Sequence, residues 1–99
     1  MRTRSATYPD RETAQWATQQ VVRRNEQVIH RWLAQCARQR LTIEAAWPSR
    51  DEPVGRVLLQ AMMFAGRKSV DVRSARVVLR RDPAAPPGFT VQASFPFYL

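Results

Sequence analysis

Val72-Arg-Ser-Ala-Arg-Val-Val-Leu-Arg-Arg81, then Asp82-Pro-Ala-Ala-Pro-Pro-Gly88, then Phe89-Thr-Val-Gln-Ala-Ser-Phe95 is the stretch that decides the fold. The first segment has a β-branched centre bracketed by arginines, which suits a strand over 72–81. The second is rich in proline and glycine and reads as a turn, so the third, 89–95, returns antiparallel to the first. In a regular strand Phe89, Val91, Ala93 and Phe95 share one face, opposed by Thr90, Gln92 and Ser94.

Working back from this hairpin, Leu41, Ile43, Ala45 and Trp47 alternate with Thr42, Glu44 and Ala46, a half-buried strand that Pro48 ends. A charged turn over 48–53 leads to a further strand over 54–59, with Gly55 marking a candidate bulge. Gln60 to Val70 stays open between a helical turn and a loop. From Asp10 to about Arg38, Ala14, Ala17, Val21, Val28, Trp32 and Cys36 recur at helical steps, with Ile29 and Leu33 widening the stripe. Asp10 stands where an N-cap belongs and Glu12 complements the positive end of the helix dipole. The polar run Arg23-Arg24-Asn25-Glu26-Gln27 is where this helix would break in two. The expected class is α+β, an N-terminal helical segment packed on an antiparallel sheet.

At 99 residues the chain has room for one core, so a single domain over 1–99 is expected. Sixteen Lys plus Arg against eight Asp plus Glu give net +8. Lys68 is the only lysine, and guanidinium forks suit bidentate phosphate contact. Nucleic acid is therefore the first partner to test, the competing explanation being a GC-rich genome in which arginine replaces lysine. Cys36 is the only cysteine, which excludes an internal disulfide and a cysteine-built zinc or redox site. No apolar leader and no run near the ~20 residues that span a bilayer is present, so no membrane partner and a cytoplasmic chain are expected.

The blocks Thr7-Tyr-Pro-Asp-Arg-Glu-Thr-Ala14, Ile29-His-Arg-Trp-Leu-Ala34, Val72 to Pro83 and Gly88-Phe-Thr-Val-Gln-Ala-Ser-Phe-Pro96 resemble the bacterial ribonuclease A-like toxin domain at the C-termini of contact-dependent growth inhibition (CdiA) proteins. The resemblance implies a kidney-shaped fold with an RNA cleft over the sheet, a cognate immunity protein as partner, delivery into a target cell, and metal-independent RNA cleavage without a cofactor. It also implies an upstream catalytic histidine and arginine, in an N-terminal helix that has no counterpart ahead of Thr7, where only Arg2 and Arg4 stand. A threonine and a tyrosine of the family's last strand match Ala93 and Phe95. No intact catalytic set is expected.

Six residues are the RNA-binding candidates: Arg73, Arg76, Arg80 and Arg81 as a phosphate-binding edge, Phe95 as a stacking ring and Ser94 as a neighbouring hydroxyl. A solvated edge that resists aggregation explains the same arginines. His30, the only histidine, falls between core positions and matches no catalytic site of the family. Trp32 and Trp47 fall on apolar stripes and read as core, while Trp16 is open to either role. Three readings remain: a toxin nuclease impaired by truncation or a late-called start, a non-catalytic module that binds RNA or the immunity protein, and a subunit burying Phe95, Phe97, Tyr98 and Leu99 against a partner.

Overall fold

The computed structural model describes residues 3–35, 38–59 and 69–98. Cys36, Leu99 and most of the ambiguous 60–70 segment lie outside the described residues. Strand β1 (Thr3–Thr7) leads into helices α1 (Arg11–Arg24) and α2 (Glu26–Gln35), followed by β2 (Arg40–Ala46), β3 (Gly55–Leu59), β4 (Val70–Val72), β5 (Ser74–Arg81) and β6 (Phe89–Pro96). The class is α+β as expected, but the strands form two antiparallel three-stranded sheets, β1-β3-β4 and β2-β5-β6.

Asp10 caps α1: its Oδ1 accepts from the Thr13 N–H at 2.7 Å. That bond holds the Asp10 carboxyl below its ordinary value, with Arg50 adding a smaller pull. The long helix breaks inside the polar run, at Asn25, whose Nδ2 donates to Val21 O at 2.8 Å and across to Glu44 O on β2 at 3.0 Å. The break changes the phase of α2. Ile29 and Trp32 are buried, whereas Val28, expected on the core stripe, is 39% exposed. Ala17 and Val21 of α1 and Ile29 and Trp32 of α2 pack on Ile43, Ala75, Val77 and Leu79, forming the main core.

The strand expected over 72–81 is two strands in two sheets. Arg73 makes the corner: its Nε donates to Arg50 O at 2.6 Å and one Nη to Asp51 O at 2.9 Å, while its own carbonyl accepts from Trp47 N–H. Strand β1 was not expected at all. It pairs with β3, and Ala6 packs on the small second cluster of Val57 and Val72.

Gly55 is no bulge; it lies in regular register opposite Val72. Glycine is required there by close approach, since a Cβ would stand 2.5 Å from Pro96 Cγ and 2.6 Å from the Thr7 carbonyl oxygen. The Thr7 oxygen belongs to the β1 backbone and cannot swing aside. Gly55→Ala is expected to cost about 1–3 kcal/mol, read as a lowered midpoint in thermal unfolding.

The β5–β6 hairpin forms as expected, its turn closed by Asp82 N–H to Gly88 O and by Gly88 at φ +91°. The bulge lies here instead: Val78 pairs with Ala93 and Leu79 with Val91, leaving Gln92 as the extra residue. The bulge reverses the face of everything beyond it. Phe89 and Val91 share the helix-facing side with Ser94 and Pro96, and Ala93 and Phe95 point the other way, correcting the expected four-residue face.

Candidate nucleic-acid interface

Register fixes what each side of the β2-β5-β6 sheet carries, because directly opposed residues share a face. Ile43, Ala45, Ala75, Val77 and Leu79 look toward the helices. The opposite side holds three cross-strand rows: Arg40, Arg80 and Thr90; then Thr42, Val78 and Ala93; then Glu44, Arg76 and Phe95. Arg40, Arg80, Thr42 and Thr90 are exposed and Phe95 is half-buried, so no described element covers this side.

Arg40 and Arg80 are directly opposed. Like charges in that arrangement destabilise a strand pair, yet neither guanidinium has an acidic partner among the described residues. Two rows along, Arg76 is satisfied: its Nη2 lies 2.8 Å from Glu44 Oε1, and its guanidinium stands 4.7 Å over the Phe97 ring. The face thus presents an unpaired double cation at one end, hydroxyls beside it and an aromatic ring at the other end.

Of the six candidates from sequence, three meet on this face: Arg76, Arg80 and Phe95. The other three do not. Arg73 is spent on the corner. Arg81 is turned to the helix side, where its guanidinium donates to Trp32 O at 2.6 Å, Leu33 O at 3.0 Å and Arg38 O at 3.3 Å and stacks 5.1 Å over Trp32. It closes the C-terminal end of α2 rather than a ligand site.

Ser94 is also on the helix side, in a chain of hydroxyls. Thr18 Oγ1 donates to the Ala14 carbonyl at 2.7 Å. Ser94 must therefore donate to Thr18 across 2.6 Å, and Tyr8 to Ser94 across 2.9 Å, since each hydroxyl has one proton. Burial pushes the Tyr8 phenol above its usual 10, the hydrogen bonds offsetting part of the rise. With its proton committed inward, this chain ties β6 and the segment after β1 to α1.

A groove of about 720 Å³ opens on the helix side, with Val22, Ile29, Leu33, Phe89 and Val91 inside and Arg23, Glu26 and His30 around it. Val91 is 47% exposed in it. His30 is an exposed side chain with no hydrogen bond among the described residues to fix its tautomer, so it is not held as a catalytic base. Ala93 and Phe95 are on the far side of the sheet from this groove. Trp32 and Trp47 are core residues, 5% and 8% exposed. Arg40, Thr42 and Thr90 were missed in sequence, because only the register reveals that Arg40 meets Arg80.

A bacterial CdiA-CT RNase A domain model matches residues 2–96. The chain belongs to that family. It is a CdiA C-terminal, ribonuclease A-like toxin domain in class. No curated protein matches the chain. Among solved structures, a chain of the CdiA-CT/CdiI complex from Y. kristensenii 33638 superposes with a TM-score of 0.83 at 21% identity, covering 99% of this chain and 80% of that one. At that identity the likeness establishes the CdiA-CT fold. Among the described residues no helix is long and apolar enough to cross a membrane, and no three His, Cys, Asp or Glu side chains gather.

Proposed function

We propose that this CdiA-CT RNase A-like domain engages RNA across the open face of β2, β5 and β6 and cuts it poorly or not at all. The observation that carries the reading is the Arg40–Arg80 pair, two exposed arginines opposed across neighbouring strands with no acidic partner among the described residues, on the face that also bears Phe95. Phosphate oxygens would relieve the repulsion through charge-assisted, bidentate contacts. Phe95 would stack an unpaired base.

Cleavage without a metal needs a base for the ribose 2′-hydroxyl, an acid for the leaving 5′-oxygen, and donors aimed at the charge that builds on phosphorus. On this face the carboxylate of Glu44 is tied to Arg76 and there is no imidazole. The two positions at which the resemblance implies a threonine and a tyrosine carry Ala93 and Phe95, so the donors they would supply are missing. Losing one such donor costs on the order of 10²-fold or more in rate. The face keeps cations and a ring, which bind, and lacks groups that move protons.

Purified chain mixed with a labelled single-stranded RNA in EDTA is expected to bind it and leave it intact on a denaturing gel. Metal-independent cutting would overturn the reading, and cutting abolished by His30→Gln would move the chemistry to the helix-side groove. A cognate immunity protein is the second partner proposed, because the similar Y. kristensenii chain was solved in a CdiA-CT/CdiI complex. Family membership further supports delivery by a CdiA-type protein and action in the target-cell cytoplasm.

A further inference from the structure

A notch opens at the far end of β2 from Arg40. It measures about 390 Å³ and is lined chiefly by Trp16, Arg24, Trp47, Pro48, Ser49 and Arg50. Trp16 of α1 and Trp47 meet with ring centroids 4.9 Å apart, tilted 47°. Each ring carries a guanidinium, Arg50 at 4.5 Å over Trp16 and Arg24 at 5.6 Å from Trp47. We propose that this notch binds a nucleoside monophosphate unit, its phosphate on the two guanidiniums and its base against the Trp16 edge of the notch. The inference rests on the RNA reading above and extends it to a second site.

Three observations support it. Among the described residues no carboxylate lines the notch, so two cations face one space. The acid that feels Arg50, Asp10, is committed to capping α1. Second, the guanidiniums are held but not saturated. Arg24 gives one N–H to Ala46 O at 2.8 Å and Arg50 one to Pro53 O at 3.4 Å, and a guanidinium has five. Stacking on an indole fixes their planes in advance, which lowers the entropy lost on gripping an anion. Third, Trp47, a lining residue that is 8% exposed, has a buried indole N–H with no acceptor among the described residues. Such a group is rare in a settled interior and marks this wall as the least satisfied part of the main core.

On the open face the cation in contact with a ring, Arg76 over Phe97, is paired with Glu44, and Phe95 stands two rows from the Arg40–Arg80 pair. In the notch, ring and cations are in contact. From Arg40 to Ala46 along β2 is roughly 20 Å, and the notch, built on Trp16 and Arg24 of α1, lies on the helix side, so one strand of RNA reaching both sites would cross the outer edge of β2.

The test is to titrate isotope-labelled chain with adenosine 5′-monophosphate, adenosine and inorganic phosphate, following the three indole N–H signals by NMR. The monophosphate is expected to shift the signals of Trp16 and Trp47, leave that of Trp32 in place, and bind at least tenfold more tightly than either fragment. Arg50→Gln is expected to weaken binding about tenfold, and Arg50→Lys, which keeps the charge and loses the fork, by less. Dispersion of the remaining amide signals shows whether each variant is folded. Unmoved Trp16 and Trp47 signals at millimolar nucleotide, undiminished binding in a folded Arg50→Gln variant, or equal affinity for phosphate alone would each overturn the proposal. Salt-dependent binding of long RNA is read separately, so a silent notch sinks this inference without touching the open face.

Discussion

Trp32→Ala is expected to destabilise the domain by about 3–5 kcal/mol, seen as a large drop in the urea midpoint. Total stabilities of domains lie near 5–15 kcal/mol, so the variant is expected to be substantially unfolded at 37 °C. The size of the effect comes from what the indole joins. It is 5% exposed in the main core and packs at 6.5 Å against Phe89, at the start of β6. Its Nε1 donates to Arg38 O at 3.0 Å, holding the chain where it enters β2. Its face supports the guanidinium of Arg81, which in turn satisfies carbonyls of Trp32, Leu33 and Arg38. Removing the ring opens a cavity and loosens Arg81 at once. Arg81→Gln isolates the second part and is expected to cost about 1.5–3 kcal/mol, the range for hydrogen bonds to a charged group. Its neighbour Arg80, exposed and without an acidic partner among the described residues, should tolerate the same change within about 0.5 kcal/mol. Two adjacent arginines that sequence reading places in one phosphate-binding edge thus separate by their effect on stability.

That separation shows where the sequence was legible. The β5–β6 hairpin could be read because Pro83, Pro86, Pro87 and Gly88 allow little else, and Asp10 because a side-chain oxygen three residues ahead of a free N–H is local chemistry. The break between α1 and α2 was confined to residues 23–27 by polarity alone. What fixes it at Asn25 is a bond to Glu44 O on another element, which no window of sequence contains. The Thr3–Thr7 strand has no apolar alternation, and becomes a strand by pairing with β3. The corner at Arg73 depends on carbonyls of Arg50 and Asp51 across the fold. The bulge at Gln92 carries no glycine to announce it, and it decides which side of the sheet Ala93, Ser94 and Phe95 occupy.

The candidate site was half legible for the same reason. Arg76, Arg80 and Phe95 were named from composition and resemblance, and alternation separates Arg80 from Arg81 once strand β5 is accepted. Arg40 could not be named, because its importance lies in standing opposite Arg80.

The second large effect is expected at that pair. If Arg40 and Arg80 each neutralise one phosphate of a single strand, removing both takes away two contacts, each contributing about −0.7 to the slope of log K against log salt. At 0.1 M salt this amounts to a loss of affinity of ~25-fold for Arg40→Gln/Arg80→Gln. Stability is expected to change little or to rise, since a like-charge opposition is relieved.

The most direct check of the account is the salt dependence of binding to a fluorescent single-stranded RNA, measured by anisotropy for the unaltered chain and for Arg40→Gln/Arg80→Gln. The predicted result is a slope shallower by about 1.4 in the double variant, with the two lines converging toward high salt. Parallel lines of equal affinity would mean that RNA does not meet this face, and the assignment of the open sheet as the interface would be wrong.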